Sequence, residues 1–205
     1  MRIRTIALTS SALLTALLLA GCAQTDDTGG MPGMDHGTSP MTPSQTAGDV
    51  NPADEMFLTM MIPHHEQAIE MADLVLGKDN VDPRVIELAQ QITDAQGPEI
   101  EAMKSWLDGW GMPYDDSGAP GGMEGMDHGD GMMSEDDLAA LGSASGPDAS
   151  RLFLEGMILH HEGAVDMART VLDNGKNAEV AELAQQIIDG QAAEIATMQA
   201  LLSEL

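Results

Sequence analysis

Two copies of a His-His-Glu triplet stand out, His64-His65-Glu66 and His160-His161-Glu162, and both are flanked by methionine. On a helix, His64 lies one turn beyond Met60 and His65 one turn beyond Met61, while Met71 stands two turns beyond His64 on the same side. In the second copy His161 follows Met157 by one turn and Met167 follows His160 by two, but the position matching Met60 is Gly156. Thioether sulfur is a soft, neutral donor that selects Cu(I) or Ag(I) over hard cations, and imidazole extends the same set to Cu(II). Adjacent side chains point about 100° apart around a helix. One His of each pair is therefore expected to face the protein interior and the other its edge, with ligands converging from more than one element.

A second set of candidates lies where no core can form. Met31, Met34 and His36 sit in MPGMDHG, and Met123, Met126 and His128 sit in MEGMDHG, among Gly, Pro and Asp. Exposed methionine without a packing role asks for another explanation. Unlike a thiolate, methionine needs no deprotonation, so such ligands suit compartments where thiols oxidise. Met41, Met112, Met132 and Met133 enlarge the pool, and the competing reading is a linker of biased composition. Met103 and Met198 have core spacing with no His nearby and are read as packing residues.

Composition narrows the chemistry. The 205 residues carry 34 Asp+Glu against 8 Lys+Arg, a formal charge of −26, with 17 Met, 6 His and a single Cys. Such a charge repels nucleic-acid phosphates and anionic lipid headgroups, so no nucleic-acid partner is expected. One cysteine excludes an intramolecular disulfide, a thiolate zinc cage and an iron–sulfur cluster. Enzyme templates fit poorly. A di-iron carboxylate bundle requires Glu-x-x-His, but Met61, Ile62, Met157 and Ile158 stand three before the four histidines. The His-x-x-x-Glu/Asp spacing of hemerythrin-like carriers is also missing, as is a G-x-S-x-G nucleophile. No enzymatic activity is expected.

The positioning elements follow from periodicity. Residues 1–21 read as a lipoprotein signal, with Arg2 and Arg4 ahead of an apolar run and Leu19-Ala20-Gly21 directly before Cys22, the expected lipidated residue. Residues 22–51 and 111–147 read as a flexible tail and a flexible crossover; the crossover contains one short helix, capped by Ser134 and ending near Gly142. Helical spacing fills 52–110 and 148–205. FLTMMIPHHEQAIEMADLVL from Phe57 aligns on FLEGMILHHEGAVDMARTVL from Phe153, and ELAQQITDAQGPEIEAM from Glu87 on ELAQQIIDGQAAEIATM from Glu182. The chain is a duplication of a helical hairpin, expected to close as an all-α, ferritin-like four-helix bundle. Pro63 and Gly97-Pro98 occur only in the first copy and predict kinks there.

The pattern FLxxMIxHHxxAxxMA, followed by ELAxxI and QxxEIxxM, resembles the bacterial domain-of-unknown-function family 305 over Phe57–Leu107 and Ser134–Leu205. The resemblance implies a ferritin-like fold and includes exported members that bind copper through Met and His. By position it points to Met60, Met61, His64, His65 and Met71, and to Met157, His160, His161 and Met167, with Gly156 departing from the pattern.

The resulting expectation is a lipid-anchored protein on the extracytoplasmic face of the cell membrane that binds copper for buffering, transfer or tolerance. Cu(I) is favoured, Ag(I) or Cu(II) is admissible, and a copper donor or acceptor protein is the expected partner. The alternatives are a metal-dependent oxidase within the bundle and an acidic helical interaction module that binds no metal.

Overall fold

A computed structural model describes residues 50–115 and 131–205. Five helices account for most of them: α1 (Pro52–Leu76), α2 (Pro83–Gly109), α3 (Glu135–Ser143), α4 (Gly146–Asn174) and α5 (Ala178–Glu204). The described residues contain no strand, and the chain is an all-α, ferritin-like four-helix bundle of two duplicated hairpins. None of these helices is long and apolar enough to cross a membrane. Cys22, Met31, Met34, His36, Met123, Met126 and His128 lie outside the described residues.

Four of the five helices, all but α4, start on a side-chain cap. Asn51 accepts from the backbone N–H groups of Ala53 and Asp54, and the Asp54 carboxylate accepts from Asn51 N at 2.8 Å, a reciprocal capping box. Ser134 caps α3 through Asp137 N, at the position expected from sequence. Pro63 and Pro98 lie within α1 and α2, both of which continue through them as single helices.

The two hairpins are clasped at their ends by matching residues. Buried Asp54 also accepts from Lys176 N at 3.1 Å and Asn177 N at 3.2 Å, fastening the start of α1 to the α4–α5 turn. Ser150 stands at the equivalent position of the second copy. It accepts from Asp82 N at 3.1 Å, fastening α4 to the α1–α2 turn. That turn passes so close to Gly146 that an added β-carbon would lie 2.3 Å from the Asn80 carbonyl carbon.

Within the bundle α1 packs on α2 and α4, α4 packs on α5, and α2 barely meets α5. Two apolar clusters fill the interior. One gathers Met71, Val75, Val85, Ile92, Phe153 and Met157, the other Phe57, Met61, Ile100, Leu107, Ala168 and Ile187. Met103 and Met198 are fully buried, as their spacing implied. The histidines fall in sequence between the segments that feed the two clusters, and so sit at mid-height on α1 and α4.

Candidate metal site

All four bundle histidines are buried, none more than 1% exposed, so the expectation that one of each pair would face an edge is corrected. The reason is geometric: α1 has two neighbours, α4 and α2, and the angular step between adjacent residues aims one ring at each. His64 meets His160 across the α1–α4 interface with ring centroids 3.7 Å apart and planes inclined by 40°. His65 turns instead to α2, where its Nε2 donates to Glu99 Oε2 at 2.8 Å, and His161 turns to α5, where its Nε2 donates to Glu194 Oε2 at 2.6 Å.

A carboxylate can only accept, so these bonds put a proton on Nε2 of His65 and His161, and in the neutral form of each ring the lone pair then sits on Nδ1. Both Nδ1 atoms are buried without a hydrogen-bond partner, and so are both ring nitrogens of His160. Burial foremost, then the neighbouring His64, His161 and His65, pushes the His160 pKa well below its ordinary value. A neutral imidazole with an unused lone pair is a metal-ligating form, and a carboxylate behind the ring raises its basicity. The donors present therefore fit a soft or borderline cation. Among the described residues no three His, Cys, Asp or Glu side chains are grouped to hold a metal, so a site in the bundle must draw on methionine sulfur.

The methionines divide into two groups. Met61 and Met157, at duplicated positions, are fully buried within the two apolar clusters. Met60 and Met167 are half-buried and line a groove of about 260 Å³ between α1 and α4, together with Met56, Phe57 and Asp166. Met71 is fully buried, its methyl 3.4 Å from where a β-carbon on Gly156 would stand. The structure thus places Met60 and Met167 on one groove and Met71 against Gly156, two arrangements at positions related by the duplication.

Glu99 and Glu194 were not among the sequence candidates, although the duplicated Gln-x-x-Glu of α2 and α5 carried the signal. Gln96 and Gln191, the first residues of that motif, are also buried, with side-chain atoms lacking partners. Sequence alone does not say that a carboxylate on the second helix of a hairpin reaches a histidine on the first.

The comparisons with known proteins agree with this architecture. The family described as Domain of unknown function (DUF305) matches residues 54–202. A DUF305 fragment from Deinococcus radiodurans is 34% identical, covering 76% of this chain and 99% of its own, with a TM-score of 0.67. CopM in its Cu(I)-bound form is 34% identical over 74% of this chain and 96% of its own, with a TM-score of 0.60, and its Cu(II)-bound form gives 0.63. CopM has also been solved in Ag-bound and apo forms. Uncharacterized protein L153 of Acanthamoeba polyphaga mimivirus is 42% identical over 55 residues, which span 27% of this chain and 36% of that protein. A family match across both hairpins, joined to the same fold in relatives at a third identity, leads to one assignment: the chain belongs to the DUF305 family.

Proposed function

We propose that this protein is an extracytoplasmic copper-binding protein that buffers or passes on Cu(I) and Cu(II) without turning over a substrate. The observation that carries the reading is the contact of His64 with His160 at mid-bundle, flanked in sequence by buried His65 and His161, with ring nitrogens of His65, His160 and His161 lacking a hydrogen-bond partner. Burying such nitrogens unsatisfied is costly, and a metal supplies what the protein leaves out. The copper- and silver-bound forms of CopM support the choice of metal. Met31, Met34, His36, Met123, Met126 and His128 would capture the ion, and Cys22 would carry the lipid that holds the chain at the membrane. The absence of Glu-x-x-His before the bundle histidines favours binding over oxidase chemistry.

Chelator-competition titration of residues 22–205 with Cu(I) tests the proposal. Tight uptake is expected, and it should fall when the four bundle histidines are replaced. No uptake, or uptake unchanged in that variant, overturns the bundle site. Cys22→Ser should release the full chain from the membrane fraction.

A further inference from the structure

The crossover does not merely connect the hairpins; its residues 131–133, just before α3, are seated on α1 and α4. Gly131 has φ +81, a backbone conformation suited to glycine, and a β-carbon there would lie 2.1 Å from the Leu159 carbonyl oxygen. Two residues on, the Gln67 side chain holds the Met133 backbone at two points. Its Nε2 donates to the Met133 carbonyl at 3.0 Å and its Oε1 accepts from Met133 N at 2.8 Å. The Met133 sulfur then comes to rest 2.9 Å from where a β-carbon on Gly156 would be, beside the Met71 methyl at 3.4 Å from the same point.

Gly156 is the position where the duplication predicts the counterpart of Met60. The clamp residue breaks the repeat as well, because Gln67 corresponds to Gly163. Both departures from the repeat serve one outcome: the side chain missing from α4 leaves a slot, and Gln67 holds a methionine from the crossover in it. In the first half Met60 and Met167 line one groove, and in the second the Met133 sulfur and the Met71 methyl come to the same point at Gly156.

We propose that Met133 is the thioether donor the second half lacks at Gly156, so that the bundle holds two equivalent thioether pairs for a soft monovalent cation, Met60 with Met167 and Met133 with Met71. This rests on the copper-binding reading above and adds a ligand that lies outside both repeats. It makes the crossover part of the binding site, so that cation binding in the second half and seating of residues 131–133 are one linked event. Sulfur pairs of this kind accept Cu(I) or Ag(I) with no proton released.

Ag(I) is the probe, because it is monovalent, soft and diamagnetic. The full chain carrying 13C-methyl methionine is titrated with Ag(I) and followed by NMR. The Met133 and Met71 methyls are expected to shift together, over the same equivalents that shift Met60 and Met167. Met133→Leu keeps the packing volume and removes the sulfur; it should weaken the Met71 response by about tenfold or more, within the range typical of altered metal sites, and leave Met60 and Met167 unchanged. Gly156→Met combined with Met133→Ala returns the thioether to α4 and should restore the Met71 response.

A Met133 methyl unmoved by Ag(I) while Met60 and Met167 shift overturns the inference, and this readout needs no variant to fold. A Met71 response unchanged in Met133→Leu overturns it too. If no methionine or histidine of the bundle responds to Ag(I) or Cu(I), the copper-binding reading itself falls, an outcome distinct from both.

Discussion

His64 and His160 come from equivalent positions of the two repeats and touch at the centre of the bundle, their ring centroids 3.7 Å apart. Burial first, and then the neighbouring His64 ring, disfavour a positive charge on His160 and push its pKa well below the ordinary value. The contact is also where α1 meets α4, so the interface that joins the hairpins is polar at mid-height and apolar above and below.

A pH dependence follows for the metal-free chain. The unfolded state takes up a proton on His160 near pH 6.5, whereas the folded state, with His64, His65 and His161 around the ring and Glu99 and Glu194 bound to the outer two, takes it up only at lower pH. The unfolded state therefore binds more protons below about pH 6.5, and this contribution to stability, full above that pH, is lost as the pH falls through it. Urea denaturation between pH 8 and 5 should show the decline, and His160→Gln should flatten it. A wild-type midpoint constant across that range contradicts the account.

The carboxylates behind the outer rings should matter in equal measure. Glu99→Ala and Glu194→Ala each leave a histidine without the acceptor that sets its tautomer, and each should weaken Cu(I) binding by about 10–100-fold. The Gln variants retain an acceptor oxygen and should lose less. Chelator competition measures both, and equal affinity in wild type and Glu99→Ala would remove the carboxylate from the site.

Asp54 is a structural residue with a large expected effect. Its buried carboxylate accepts from three backbone N–H groups, those of Asn51, Lys176 and Asn177. Asp54→Ala should cost about 3 kcal/mol, since charge-assisted hydrogen bonds and stranded buried donors each contribute on that scale. Asp54→Asn should cost less. Denaturant unfolding gives the values, and a loss under half a kilocalorie would mean that water replaces the carboxylate.

Gly131→Ala tests how the crossover is seated. The added methyl meets the Leu159 carbonyl and the backbone must leave its left-handed conformation, so residues 131–133 should detach from α4. Hydrogen exchange should rise at Met133, whose N–H otherwise donates to Gln67, while the centres of α1 and α4 stay protected. Unchanged protection at Met133 would show that the segment is held by other means.

Much of this architecture was legible in the chain itself. The copied Phe-Leu…His-His-Glu and Glu-Leu-Ala-Gln-Gln-Ile segments announce two hairpins, and their apolar period requires that they bury each other. Ser134 as the cap of α3 and Met103 and Met198 as core residues follow from local rules that depend on a few neighbours. Residues 131–133 of the crossover read as flexible in sequence, because the segment follows no apolar period. They are ordered instead by contacts with α1 and α4, which no local pattern reports.

The sequence by itself determined the repeat, the helices, and the pool of imidazole and thioether donors, because these depend on residue type and spacing along one helix. Tertiary structure decided which donors meet. Met60 and Met61 differ by one step of a helix, about 100°, and only the placement of neighbouring helices sends one to a groove and the other to the core. The same placement gives His64 a histidine and His65 a glutamate as partners. It also turns Gly156, a gap in the pattern when read along the chain, into the slot that Met133 fills from outside the repeat.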